Sequence, residues 1–294
     1  MANPTIGRYA RIIMDDWFKR SFGVEGRERL LELFLKELIP ERSIRKLTYV
    51  SQEHVNPFPE NKSVRIDVEC TDEDGTRFMV EMQVAPQHGF HDRAVFNSTF
   101  AIQQQLAKGV DDYSFPTVYF IGLMDYSFHK GSDQVLYRYN LREVSSNELM
   151  TPHLQYLFLE LPNCRKARTP EASVLDNICY ALHNMENLSD RPEELKEEIF
   201  KLLFESAEIA KFTPEEKVKY ENNMRTDRDI RNQIAFAKDE GLAIGRQEGR
   251  EEGMHAQAVQ TAQWLLERGM PAQTVAEGTG LTVNEVLAIG RDGK

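Results

Sequence analysis

The 294-residue chain is 41% hydrophobic and 28% charged, and its 36 basic and 47 acidic residues leave a net charge of −11. Those proportions fit a globular protein long enough to bury a real core, and they exclude collagen-like, low-complexity and small disulfide-framework classes. The acidic balance excludes a surface-wide phosphate-binding footprint; only residues 1–50, with ten Lys/Arg and seven Asp/Glu, are mildly basic.

The length fits one large domain with appendages, or two modest ones. No stretch approaches 18 consecutive apolar residues, so no membrane span is expected. The N-terminus lacks an apolar segment followed by a small-residue cleavage site, and a cytoplasmic location is expected. Cys70, Cys164 and Cys179 are few, odd in number and far apart, which argues for reduced thiols.

Residues 28–39 place Leu30, Leu31, Phe34, Leu35, Leu38 and Ile39 on one helical stripe, and Pro40 stops the helix. Residues 44–50 read as a strand and 51–63 as a loop. Residues 64–84 then alternate with period two on both sides of Asp74-Gly75. Val64, Ile66, Val68 and Cys70, then Phe78, Val80, Met82 and Val84, are apolar, with mainly polar residues between them. This is an antiparallel hairpin with one buried face.

Its register follows from parity. Apolar opposes apolar only if paired residue numbers sum to an even value. A two-residue turn fails that condition. A three-residue loop, Glu73-Asp74-Gly75, satisfies it by pairing residue 72 with 76, and puts Gly75 where a left-handed conformation is needed. In that register Asp67 faces Glu81 and Arg65 faces Gln83.

Residues 90–108 read as a helix with a glutamine-rich face. Residues 116–124 read as a buried central strand, with further strands near 134–139 and 154–160. The order implies a mixed sheet with helices. Helices are expected over 171–188, 192–211 and 214–238, with Pro192 and Pro214 in first turns. Gly241, Gly245, Gly249 and Gly253 repeat every four residues at a cost of about 4 kcal/mol in helix propensity. That segment reads as a strained or partner-dependent helix, or else as a flexible linker. Residues 256–289 have helix-turn-helix spacing but few side chains suited to base edges. They are expected to pack on the chain or on a second copy through Trp264, Leu265, Leu266, Val283, Val286 and Leu287. The expected organisation is a core over 1–165, a helical region over 166–238, the glycine repeat over 239–255 and a small helical segment over 256–294.

Opposed carboxylates on one sheet face repel unless a cation lies between them. Asp67 and Glu81 are therefore candidate ligands for a hard divalent ion, with Gln83 beside them to orient a water or a phosphate oxygen. Glu69 shares the face and is expected to be solvated. His88 and His91 lack a third nitrogen or sulfur ligand nearby, and Trp17 and Trp264 read as packing residues.

Asp67, a turn, then Glu81-Met82-Gln83 on the next strand resembles the core of the PD-(D/E)XK nuclease superfamily. In particular it resembles the recombination-promoting nuclease and putative transposase family, in which glutamine replaces the usual lysine. Asp16-Trp17-Phe18-Lys19, Lys62, Arg93, Gly109 with Tyr113, and the Gly-Arg-Gln-Glu-Gly run fit the same family.

The resemblance implies an α/β, restriction-endonuclease-like mixed sheet flanked by helices, with a helical C-terminal extension. It implies a DNA endonuclease linked to recombination, mobile elements or defence, dependent on Mg²⁺ with Mn²⁺ as a substitute. Asp67 and Glu81 would hold the metal, and Gln83 would stand in the lysine's place. Positive charge would then come from the metal or from Arg65, with Lys62 and Arg93 as weaker sources. The partners expected are DNA and a second copy of the chain, most simply a dimer. The alternatives are a non-catalytic relative that binds DNA or protein, and an interaction module assembled through the glycine-repeat helix.

Overall fold

The computed structural model describes residues 7–50, 53–54, 64–106 and 113–292. Lys62 and Gly109 lie outside the described residues. The chain divides into two compact units, Met1–Pro214 and Glu215–Lys294.

The first unit opens with two short amphipathic helices. Helix α1 (Asp15–Phe22) buries Trp17, Phe18 and Phe22, and α2 (Glu28–Leu38) buries Leu30, Leu31, Phe34, Leu35 and Leu38. Trp17 stacks on Phe212 at 4.6 Å between ring centroids, which makes it a packing residue as expected. The strand expected over 44–50 is reduced to β1 (Thr48–Tyr49). Strands β2 (Glu53–His54) and β3 (Val64–Arg65) pair with each other in a separate two-stranded ribbon.

The hairpin consists of β4 (Val68–Thr71) and β5 (Arg77–Gln83). Its register pairs Val68 with Val80, Glu69 with Met79, Cys70 with Phe78 and Thr71 with Arg77, so paired numbers sum to 148 as parity requires. Gly75 has a φ of +77°, the left-handed conformation that the three-residue loop needs.

Helix α3 (Phe90–Gln105) carries the chain from β5 to β6 (Val118–Met124), which runs parallel to β5. Strands β7 (Leu136–Asn140) and β8 (Leu154–Glu160) complete a six-stranded mixed sheet in the order β1-β4-β5-β6-β8-β7.

The hairpin does not have one buried face. All seven residues of β5 are buried. Its apolar side meets the N-terminal helices: Val68 Cγ2 lies 3.1 Å from where a side chain on Gly23 would begin. Its polar side lies under α3, where Met79, Phe90, Ala94, Ala101 and Phe120 form one cluster. Gly122 allows this covering layer to come close. A Cβ there would stand 2.8 Å from the Phe158 ring and 3.0 Å from the Phe90 ring.

Glu69, expected to be solvated, is 1% exposed, with Arg77 Nη1 3.3 Å from its Oε1. Arg77 in turn donates to Gln104 on α3 at 2.7 Å. The sheet's polar face is thus an interior polar layer.

Helices α4 (Val174–Asn184) and α5 (Glu198–Ala207) close the unit. Ser173 and Asp176 form a capping box that fixes the start of α4. Pro192 is not in a first turn, because α5 begins only at Glu198. Cys70 and Cys179 are buried, Cys164 is half-buried, and all three are free thiols.

The second unit is helical. Helix α6 (Pro214–Glu267) begins on its proline and continues through all four repeated glycines. A Cβ on any of these glycines would meet nothing within 4 Å, so contacts within the chain do not require them. Helices α7 (Ala272–Thr279) and α8 (Val283–Asp292) follow. Ala262, Val275, Ala276, Leu281 and Val286 form a small core, joined by Leu265, Leu266 and Val283. Trp264 and Leu287, expected on that apolar face, are about half exposed. No helix among the described residues is long and apolar enough to cross a membrane.

Candidate metal centre at the end of the hairpin

The β4 ladder stops at Val68, and the pleat breaks between Ile66 and Val68. In an unbroken strand both would share a face. Instead Ile66 joins the cluster under α3 while Val68 stays on the opposite side. The residue at the break is Asp67. Its Oδ2 accepts the Met82 N–H at 2.8 Å, where a regular ladder would offer a backbone carbonyl. Asp67 is therefore not a ladder partner of Glu81. The hydrogen bond to the following residue is what sets its carboxylate beside that part of β5.

Arg65 does not face Gln83. The break removes it from the hairpin, and its backbone pairs with Glu53 in the separate two-stranded ribbon. Its side chain is exposed.

Glu81 and Gln83 both lie on the face under α3, 6% and 8% exposed. The Gln83 side-chain amide donates to Glu81 Oε1 at 3.0 Å, and Arg93 from α3 pairs with the same oxygen. Among the described residues Glu81 Oε2 has only a long contact of 3.5 Å to the Asn97 amide, so it keeps acceptor capacity. Asp67 is neutralised differently: Lys19 on α1 reaches its Oδ1 at 3.2 Å, and holds Asp15 at 2.5 Å as well.

The electrostatics follow from this crowding. Burial is the main cause pushing the Glu81 carboxyl up to about 7; the charge of Asp67 raises it further, and Arg93 opposes both. Asp67 is also raised, first by burial and then by the neighbouring Asp15 carboxyl, against the Met82 N–H and Lys19. Burial and neighbouring negative charge thus favour the protonated form of both carboxyls.

A hard divalent cation prefers carboxylate oxygens and would relieve that repulsion, so the donor chemistry fits one. Among the described residues no group of three or more His, Cys, Asp and Glu is placed to hold a metal ion. Asp67 and Glu81 would therefore need water or substrate oxygens to complete a coordination shell. His88 and His91 supply no ligand set; His91 packs its ring on Phe128 and Phe158 at 4.7 and 4.6 Å.

Lys19, Asp15 and Asn97 were not read from the sequence as site residues. The i,i+4 spacing of Asp15 and Lys19 on an amphipathic helix signals a pair, but nothing local says which sheet edge it meets. A second polar group lies further along the sheet at the end of β8. Fully buried Glu160 accepts from His129 Nδ1 at 2.6 Å and from Asn163 Nδ2 at 2.8 Å.

The sequence profile of the PD-(D/E)XK nuclease family transposases matches residues 12–237, from just before α1 into α6. No curated protein and no solved structure matches the chain. The match takes in the whole six-stranded sheet, Asp67 and Glu81, and the helices that carry Lys19 and Arg93. This chain belongs to the PD-(D/E)XK nuclease transposase family.

Proposed function

We propose that the chain hydrolyses phosphodiester bonds of DNA as an endonuclease at the Asp67–Glu81 pair, with Mg²⁺ as its ion and Mn²⁺ as a substitute. The observation that carries this reading is the pair itself. Two desolvated carboxyls, Asp67 at the break before β4 and Glu81 on β5, are held close enough for Asp67 to help push Glu81 up to about 7. A core fold does not need that arrangement, and a cation site does.

The bound cation supplies Lewis-acid charge to the phosphodiester and lowers the pKa of water. Asp67 and Glu81 hold it. Gln83, already bonded to Glu81, orients the attacking water or a phosphate oxygen in the lysine's place. Gln83 is neutral and adds no charge, so positive charge comes from Arg93 and Lys19, which sit on the two carboxylates. Arg93 is well suited to this because its planar fork can pair with a carboxylate or a phosphate.

Plasmid cleavage with Mg²⁺, Mn²⁺ or EDTA tests the reading. Asp67→Ala and Glu81→Ala are each expected to lower cleavage by about a hundredfold or more, with far-UV spectra unchanged. Full activity in Glu81→Ala would sink the assignment. Absence of cleavage in the unaltered chain, with no divalent-ion stabilisation, would identify a non-catalytic relative.

A further inference from the structure

A cleft of about 350 Å³ opens between α1, the start of α2 and the end of α5. Arg20, Arg27, Arg29 and Lys211 line it, with Ser206 and one carboxylate, Glu205. Four of the lining residues are cationic and one is acidic, and carboxylates just outside the lining offset two of the four. The volume falls within the range of small-ligand sites.

The four cations are not equivalent. Arg29 is bonded to Glu198 at 3.0 and 2.6 Å, and Lys211 lies 3.4 Å from Glu208, so both charges are offset locally. Arg27 donates to the Arg20 carbonyl at 3.3 Å, and among the described residues no carboxylate pairs with it. The Arg20 guanidinium lies 4.3 Å from the Phe212 ring centroid and donates to the Ser206 carbonyl at 2.8 Å. Stacking and that bond hold its planar fork in place before any ligand arrives, which lowers the entropy cost of binding. The start of α2 is not itself the site, because the Glu28 carboxylate already takes the Gly26 N–H at 2.7 Å.

We propose that this cleft binds a phosphate-bearing anion through Arg20 and Arg27, with Arg29 and Lys211 at its rim. Guanidinium forks match phosphate oxygens bidentately. The phosphates belong either to a nucleic-acid backbone or to a mononucleotide.

The test uses the full chain in EDTA, so that no metal at Asp67 and Glu81 contributes. Inorganic tripolyphosphate and a short DNA duplex are titrated into the unaltered protein, Arg27→Ala and Arg27→Ala/Lys211→Ala. Both positions are exposed, and melting without ligand checks that the variants fold. Tripolyphosphate is expected to raise the melting temperature of the unaltered chain and to bind about tenfold more weakly to Arg27→Ala.

If duplex binding falls in parallel and its salt slope shrinks by about one unit per cation removed, the phosphates are those of a nucleic-acid backbone. If the duplex is unaffected and ATP displaces tripolyphosphate, they are those of a nucleotide. No tripolyphosphate binding at near-physiological salt, or binding that Arg27→Ala leaves unchanged, overturns the proposal. The cleavage assay is independent of both results.

Discussion

Two carboxylate clusters lie on the same polar face of the β4–β5 hairpin, one toward each end of β5. Toward the turn, Glu69 meets Arg77 from the neighbouring strand, and Gln104 closes the group from α3. At the other end, Asp67 and Glu81 meet each other, and their cations arrive from two helices, Lys19 from α1 and Arg93 from α3. Both clusters are polar and largely buried, so burial does not distinguish them. What does is that Asp67 and Glu81 place like charges together, whereas the sheet neutralises Glu69 with a strand neighbour.

The sharpest way to break the comparison is to remove the cation from each cluster. Arg77→Met removes the cation paired with fully buried Glu69 and should cost about 3–5 kcal/mol in chemical denaturation. Arg93→Ala should cost less, because protonation relieves Glu81 and the Arg93 side chain is 36% exposed. Equal losses would mean that the two clusters are alike.

The pH dependence separates them next. Glu81 binds its proton more tightly in the folded chain, at about 7, than at the ordinary carboxylate value of 4.5. Its contribution to stability is then complete below about pH 4.5 and is lost as pH rises through 7, by about 3 kcal/mol. Melting in EDTA should show this decline, and Glu81→Gln should flatten it. A decline that persists in Glu81→Gln would place the titrating group elsewhere.

Divalent ions should act in the opposite sense, because a ligating carboxylate must be deprotonated. Mg²⁺ or Mn²⁺ at a hundred times its dissociation constant should add about 2.7 kcal/mol, with the gain larger at pH 8 than at pH 6. Asp67→Ala should abolish the gain and Glu69→Gln should keep it. A gain that survives Asp67→Ala would remove the ion from this pair.

How much of this was legible in the sequence differs along the hairpin. The register followed from parity alone, because a slip by one residue would have split the apolar set. The mixed sheet and the strands at 118–124 and 154–160 followed from apolar runs. The break at Asp67 was hidden, because Val64, Ile66 and Val68 continue the alternation even though the chain changes face between the last two. Arg65 was misplaced for that reason. Glu69 was misread because a polar strand face looks solvated until a helix is known to cover it. Helix α3 gives little warning: it covers the sheet with small and aromatic residues and brings Arg93, Asn97 and Gln104 to the polar ones. The burial of Glu81 and Gln83 was missed for the same reason.

Gly122 gives the site a dependence that carries no charge. It lies directly across from Glu81 on β6, and the missing side chain leaves room for Phe90. Arg93 in turn lies 5.2 Å over the Phe90 ring. A single methyl group at 122 would displace that ring and move the guanidinium resting on it. The position of the guanidinium that pairs with Glu81 thus depends on the width of a gap in a hydrocarbon layer, and a change in the apolar core can shift it without altering any polar side chain.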